Sequence, residues 1–355
     1  MSSTPRRILL VRLSHLGDVV HALPVYHALR RGFPEARIAW AVQPEFAELI
    51  EALPGLTRAF HFDRRAGWRA WPRLARELRA FDADWTVDVQ GNLKSAAVTW
   101  LSRAPRRSGW HRDDWRERLG ARVLDDPAPP CGPEERHAID RSLHLARHLV
   151  PDADTLLPAD WLELGEVERT TGRKLWRERF GEDLSGPVVV QLAAPGDVRA
   201  WPVDSQIALL RALSERGRDV LALSGPGEAE LGARLERELA DSPRVRHWVG
   251  QRGLRKLAGF LRAGAEHGAR FVSCDSGPQH VAAASGLPVV GLAGPQDARR
   301  TGPWPTPGPS SAHKVVRAGE ALECAPCLAR RCRLPEGPLC MERLAVGAVL
   351  EALED

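Results

Sequence analysis

The stretch from Arg7 to Leu23, RILLVRLSHLGDVVHAL, constrains this chain most. An apolar run of strand length passes through a single glycine, Gly17, into an amphipathic segment. A strand that turns at once into a helix is the opening βα unit of a parallel α/β domain. A dinucleotide-binding turn spaces three glycines as G-x-G-x-x-G so that a pyrophosphate can approach the backbone. Here Gly17 stands without the other two, and Asp18 follows it. A carboxylate at that place repels phosphate but can take a proton from a hydroxyl. Asp also suits a helix start, as a cap and as an anion at the positive helix end. The first turn therefore reads as acid–base chemistry or as a plain helix start, and phosphates must bind elsewhere.

The alternation continues along the chain. Apolar runs predict strands at 8–13, 37–42, 60–62 and 85–89, with helices at 19–31, 45–52, 68–79, from 94 to 101, and at 134–149. The stretch 151–163 carries prolines and polar residues without a period and reads as a linker. Beyond it, helices are predicted at 166–180, 203–216, 254–263, 279–285 and 342–353, with strands at 188–192, 220–224, 271–274 and 289–292. A length of 355 residues exceeds the usual single core. The expectation is two α/β domains, 1–165 and 166–355, each with a parallel sheet.

Net charge is +4, too weak to argue for nucleic acid. The charge is uneven: Arg58, Arg64, Arg65, Arg69, Arg73, Arg76 and Arg79 share one short segment. No apolar run approaches the roughly 20 residues of a membrane span. The apolar run near the N-terminus is too short for a signal peptide. The chain reads as cytoplasmic, where disulfides are rare.

A second motif stands at 271–280, FVSCDSGPQH. A strand ends at Asp275, Ser276 and Gly277 form the turn, and Pro278 suits an early helical position because it lacks an N–H. The free N–H groups of the next helix make an anion site, Gly277 allows close approach, and His280 can donate to a phosphate. A plain βα turn with a capping Ser reads equally well. The loop after 188–192 carries Arg199 just before Trp201-Pro202, placed to clamp a diphosphate; a solvated arginine is the alternative. In Gly225-Pro226-Gly227-Glu228, Glu228 can accept from a sugar hydroxyl or simply begin a helix. At 88–95, DVQGNLKS, Lys94 and Ser95 open a helix. With Arg64, Arg65 and Arg69 they suggest an anionic acceptor, against the usual solvated basic face.

Cys324, Cys327, Cys332 and Cys340 follow a C-x2-C-x4-C-x7-C spacing. In a reducing compartment four close thiols suit a structural tetrathiolate metal, zinc by default and iron as a second fit. Free thiols are the alternative. Cys131 and Cys274 stand alone and read as inert. Two D-x-D triplets, Asp82-Ala83-Asp84 and Asp152-Ala153-Asp154, read as solvated positions.

Together these pieces resemble glycosyltransferase family 9, the ADP-heptose:lipopolysaccharide heptosyltransferases. The similar residues are LLVRLSHLGDVVHALP at 9–24, DVQGNLKS at 88–95, RAWP at 199–202, SGPGE at 224–228, the block 271–297, and the cysteine block 324–341. The resemblance implies a GT-B architecture, two Rossmann-like domains facing across a cleft. It implies inverting, metal-independent heptose transfer from ADP-heptose to a lipid A-Kdo type core acceptor, with no cofactor for catalysis. It implies peripheral contact with the inner membrane surface and Asp18 as general base. The Asp-x-Gly-x-x-His loop of the family maps to Asp275, Ser276, Gly277 and His280, and its loop glutamate to Glu228. Arg199 stands where some members have Lys, and Ser276 where many have Thr. Ala193 and Ala194 replace hydroxyl residues, which leaves the donor sugar open. The other readings are a GT-B enzyme with a different donor or a protein acceptor, a nucleotide-sugar epimerase, and a non-catalytic nucleotide-sugar-binding protein.

Overall fold

The computed structural model describes residues 4–151, 157–158, 160–181, 186–308, 311–318 and 322–354. The chain divides into two compact units, Met1–Gly165 and Glu166–Asp355. The linker stretch lies partly, and the second D-x-D triplet wholly, outside the described residues.

The first unit holds a six-stranded parallel sheet: β1 (Arg7–Val11), β2 (Arg37–Val42), β3 (Leu56–His61), β4 (Trp85–Asp88), β5 (Arg106–Gly109) and β6 (Asp126–Pro127). Its order is β3-β2-β1-β4-β5-β6. β1 is buried on both faces, which is why it reads as an unbroken apolar run. Leu9 and Val11 of β1 pack with Ala39, Ala41 and Phe60 against Leu74, Leu78 and Phe81 of the helix Ala70–Phe81. Those helical positions recur at i, i+4 and i+7, so Arg73, Arg76 and Arg79 face outward.

The second unit repeats the plan with β7 (Val188–Gln191), β8 (Val220–Leu223), β9 (Val245–Trp248), β10 (Arg270–Cys274), β11 (Val289–Leu292) and β12 (Lys314–Val316). Their order is β12-β11-β10-β7-β8-β9, again parallel. In both units the order reverses next to the first strand, between β1 and β4 and between β7 and β10. Loops leaving such neighbours diverge to opposite faces and open a crevice at the strands' carboxyl ends, the ligand position of open α/β sheets.

Several elements differ from the sequence expectation. The single helix predicted at 19–31 is two, Leu16–His21 and Leu23–Gly32; Pro24 in the first turn of the second brings no N–H, so the first helix stops before it. The helix predicted from 134 begins at Ala138, where the ring of His137 accepts from Ile139 N at 3.1 Å. The C-terminal helix is split into Leu339–Glu342 and Val346–Glu354. β5, β6, β9, β12 and the helix Ala229–Glu238 do not stand out in the sequence pattern. Those strands lie toward sheet edges, are short, and carry charge. Arg106 stacks on Trp85 at 4.0 Å while binding Asp126, and Arg179 covers Trp248 at 4.8 Å, so long stems replace apolar side chains there. The first D-x-D triplet is structural: Asp84 accepts from Arg6 and Arg7 backbone N–H at 2.9 and 3.1 Å, and Asp82 pairs with the Arg7 side chain at 2.7 Å.

Helix Glu166–Phe180 packs on helix Leu254–Glu266 through glycines. A Cβ on Gly172 would sit 1.9 Å from the Gly259 carbonyl oxygen, and one on Gly259 would sit 2.3 Å from that of Glu168. Backbones this close leave no room for a methyl group. Gly172→Ala should therefore destabilise the second unit by about 1–3 kcal/mol, as overpacking does. A lowered midpoint in differential scanning fluorimetry is the expected readout; an unchanged midpoint would show that the helices can separate without cost.

Candidate active site

The crevice of the first unit is built from the loops after β1 and β4. Arg12 closes the apolar run of β1, and its guanidinium turns into the loops. Nη1 donates to the Val89 carbonyl at 2.7 Å, and Nη2 lies 2.8 Å from Asp18 Oδ1. Gln90 ties the same loops together by accepting from Leu13 N–H at 2.6 Å. Asp18 lies in the first turn of helix Leu16–His21 but does not cap it; the cap position is His15, held at φ 59°. His15 Nδ1 lies 3.5 Å from Asp18 Oδ2. The Asp18 side chain keeps 39% of its surface exposed. Burial pushes its carboxyl up, but Arg12, the His15 hydrogen bond and His21 together outweigh burial and hold it well below the usual carboxylate range. Asp18 is an ionised, anchored carboxylate that remains partly exposed.

The loop after β4 is held by the buried Asp88, which accepts from Gln90 and Gly91 N–H at 2.8 and 3.0 Å and from the Thr99 hydroxyl at 3.2 Å. Burial raises the Asp88 carboxyl despite these donors. Asn92 and Ser95 form a reciprocal cap: Asn92 Oδ1 accepts from Ser95 N–H, and Ser95 Oγ accepts from Asn92 N–H. Ser95 is wholly buried in that cap, whereas Lys94 beside it is exposed. Arg64, Arg65 and Arg69 lie exposed in the 3-10 turn Arg64–Arg69 that follows β3, at the same carboxyl end of the sheet.

In the second unit the loops after β7 and β10 meet across the crevice. The β7 loop is fixed by Gln206, which donates to the Ala193 and Trp201 carbonyls at 2.9 and 2.8 Å, and by buried Trp201, whose indole donates to Leu344 O at 3.0 Å. This holds Arg199 in place. Asp197 grips its Nε and Nη2 at 3.0 and 2.7 Å, and Nη1 reaches over to the Asp275 carbonyl at 3.0 Å. Asp275 Oδ1 lies 3.4 Å from buried His280 Nε2, and Oδ2 lies 3.9 Å from Arg199. Asp275 thus orients two donors at the start of helix Gly277–Ala284. Ser276 occupies the cap position of that helix without capping it, and its hydroxyl lies 2.9 Å from Ser273 Oγ. Arg199, Asp275, Ser276, Gly277 and His280 are gathered here. Glu228, at the end of the loop after β8, reaches back to accept from Gly225 N–H at 3.1 Å. Burial pushes the Cys274 thiol up to about 12.

Cys324 and Cys327 are exposed, and Cys332 and Cys340 half-buried. Burial, followed by Cys327, Cys324 and Cys332, raises the Cys340 thiol, so the four sulfurs are electrostatic neighbours. Among the described residues no three His, Cys, Asp or Glu side chains are grouped as a metal set. The segment leans on the loop after β11: Leu328 N–H donates to Pro295 O at 2.9 Å, and a Cβ on Gly294 would meet Cys340 Sγ at 3.1 Å. That loop brings Gln296 into a recess shared with Asp275, Gln279 and Thr301.

The profile of glycosyltransferase family 9 (heptosyltransferase) matches residues 71–337. Lipopolysaccharide heptosyltransferase 1 of Pseudomonas aeruginosa is 31% identical, covering 98% of this chain and 97% of its own. The chain belongs to glycosyltransferase family 9. Lipopolysaccharide heptosyltransferase 1 of Escherichia coli K12 is 28% identical, covering 82% and 88%. The solved structure of E. coli heptosyltransferase WaaC with ADP superposes with a TM-score of 0.71 at 23% identity, covering 98% and 97%. A family 9 structure from Veillonella parvula gives 0.76 at 19%, covering 98% and 96%. The iron-containing dodecameric glycosyltransferase TibC of enterotoxigenic E. coli gives 0.55 at 12%, covering 99% and 75%. The expected α/β fold of the GT-B class is the fold of this family 9 enzyme, a glycosyltransferase.

Sequence reasoning singles out Asp18 but misses Arg12, His15 and His21, which set its state, and Gln90, which ties the two loops together. The available signal was an arginine ending an otherwise apolar strand. Arg12→Met removes the largest influence that lowers the Asp18 carboxyl, so Asp18 should titrate at clearly higher pH than in the unsubstituted protein. A carboxyl ¹³C NMR titration measures this directly, and an Asp18 resonance unmoved by the substitution would rule out Arg12 as the cause.

Proposed function

We propose that this family 9 enzyme transfers a heptose, with inversion, from ADP-heptose to a lipid-anchored core saccharide of lipopolysaccharide. The observation that carries the reading is the Arg199–Asp275–His280 cluster at the start of helix Gly277–Ala284. It supplies a guanidinium, an imidazole and free helix N–H groups around one anion position, as a departing diphosphate requires. E. coli WaaC has also been solved with ADP-2-deoxy-2-fluoro heptose, which supports the donor assignment.

Donor contacts fall to Glu228, Asp275, Ser276, Gly277 and His280, with Arg199 meeting the charge that builds on the leaving phosphate. Asp275 acts by positioning, since its own charge would repel a phosphate. Exposed Lys94, Arg64, Arg65 and Arg69 meet an anionic acceptor, with Ser95 shaping the helix start rather than touching it. Asp18 takes the proton of the acceptor hydroxyl as the new C–O bond forms at the anomeric carbon. The anomeric C–O bond to ADP breaks on the opposite face, and its electron pair leaves with the β-phosphate. A carboxylate held so far toward its ionised form is a weak base. It therefore takes the proton late, once bond formation has made the hydroxyl acidic.

Asp18→Asn should lower kcat by roughly 10²–10⁴-fold, the usual worth of a positioned base, while ADP affinity by calorimetry stays put. Near-normal turnover would remove Asp18 from the chemistry. A product with the donor's anomeric configuration, read by NMR coupling, would overturn inversion. ADP release with UDP- or GDP-sugars in preference to ADP-heptose would overturn the donor.

We also propose that Cys324, Cys327, Cys332 and Cys340 close on one structural metal, zinc or iron, which braces the loop after β11. Four thiolates fill a tetrahedral shell, so the metal takes no part in transfer. Purified enzyme should carry one equivalent of metal by plasma mass spectrometry. Cys327→Ser/Cys332→Ser should lose it and melt lower. Metal-free protein from anaerobic, metal-supplemented cultures would end the proposal.

A further inference from the structure

Among the described residues, His15, His111 and His137 each stand at the cap position of a helix or 3-10 turn. The rings of His111 and His137 accept from the backbone N–H two residues on, at 3.2 and 3.1 Å, as capping side chains do. His15 makes no such bond. Its backbone is held at φ 59° and ψ 132°, a strained conformation for a residue with a side chain, and such strain gathers at functional sites. The ring keeps 73% of its surface exposed while Nδ1 lies 3.5 Å from Asp18 Oδ2. With Nδ1 turned to the carboxylate, Nε2 on the other side of the ring faces away from it. The ring therefore serves neither the helix start nor the core.

The charges around Asp18 leave one requirement unmet. The exposed Arg64, Arg65, Arg69 and Lys94 suit an anionic acceptor, yet such an acceptor must bring its hydroxyl against an anion. Arg12, at the end of β1, is mostly covered and already committed, with Nη2 on Asp18 Oδ1 and Nη1 on the Val89 carbonyl. The loop after β4 brings the neutral Gln90. His21, which also acts on Asp18 from its own helix, is buried. Of the ionisable groups that act on Asp18, His15 is the exposed one.

We propose that His15 binds an anionic group of the acceptor saccharide beside the reacting hydroxyl, with Nδ1–H donating to Asp18 and Nε2–H to a carboxylate or phosphate oxygen. The imidazolium then stands between two anions that would otherwise repel at contact distance. The inference rests on the reading above for an anionic acceptor and for Asp18 as base. It adds the residue that lets the one approach the other. Binding needs the protonated ring, so affinity should fall as pH rises across the range of about 5–8 in which imidazoles change charge.

The test is calorimetry of acceptor binding without donor, using a de-acylated Kdo-bearing saccharide, its Kdo carboxamide and its dephosphorylated form. One of the two neutralised saccharides should bind more weakly: the carboxamide if His15 meets a carboxylate, the dephosphorylated form if it meets a phosphate. His15→Asn, which keeps an amide donor, should weaken binding of the intact saccharide by about tenfold or more. It should also bind that neutralised form as well as the intact one and flatten the fall with pH. In turnover the loss should sit on the acceptor KM more than on kcat, with ADP affinity unchanged. His15→Gly should lose the same affinity without melting lower, since glycine takes φ 59° freely. An equal loss on the intact and both neutralised saccharides overturns the proposal. So does a His15→Asn protein that binds as tightly, or whose affinity falls as steeply with pH, and so does a His15→Gly protein that melts lower while binding normally. No donor is present, so His15-dependent binding without heptose transfer would sink the reaction assignment and leave this contact standing. Heptose transfer indifferent to His15 would do the reverse.

Discussion

The reversal of strand order in a parallel sheet is the constraint on which the rest of the structure depends. Every connection is right-handed by chain chirality, so a chain that winds one way from β1 and then the other way must send the loops after β1 and β4 apart. The crevice follows from backbone geometry before any side chain is considered. The chain does this twice, at β1/β4 and at β7/β10, and in each unit the side chains of functional type cluster there. Arg12 and Gln90 cross the first reversal, and Asp18 pairs with Arg12 beside it. Arg199 and Asp275 cross the second.

The two crevices are furnished with opposite electrostatics on the same scaffold. In the second unit Ser276 places no side-chain cap on helix Gly277–Ala284, and Arg199 and His280 stand beside its start. Under the proposed function that is the anion site. In the first unit the corresponding helix start carries Asp18, which fills the positive end with the chain's own charge. Asp18 would carry a burial penalty there without Arg12, so the arginine that ends β1 belongs to the carboxylate. Exchange of the roles of the two units would need both a glycine turn in place of Asp18 and a carboxylate where Ser276 stands.

The central strands and the loops that follow them were legible because burial on both faces forces continuous apolar runs, and helix starts demand Gly, Pro, Ser or Asp at fixed places. What was not legible depended on contacts far apart in sequence. β9, read from Val-Arg-His-Trp, looks polar until Arg179, from a helix more than sixty residues earlier, covers its tryptophan. Ser95 looks like a ligand at a helix start until its hydroxyl turns out to close the cap with Asn92. Asp275 looks like a phosphate-site residue until its neighbours show that it steers Arg199 and His280. Pro24 did signal the break at Ala22, but the amphipathic period running through it concealed the break.

Under the proposed function, in which Asp18 is the base, its state bears on how a weak base can serve a transferase. If the carboxylate had a pKa near neutrality, it would be protonated part of the time and would pair with the acceptor hydroxyl as a donor. The Arg12 pair removes that state, so the carboxylate stays a hydrogen-bond acceptor. The cost is basicity, and the reaction itself offsets it, because a hydroxyl attacking an electron-poor anomeric carbon becomes strongly acidic as the bond forms. A base matched to the free hydroxyl would be stronger in the ground state, where it contributes nothing to rate. On that proposed role, holding the carboxylate ionised and oriented directs its interaction to the transition state, and Arg12 is what keeps it ionised.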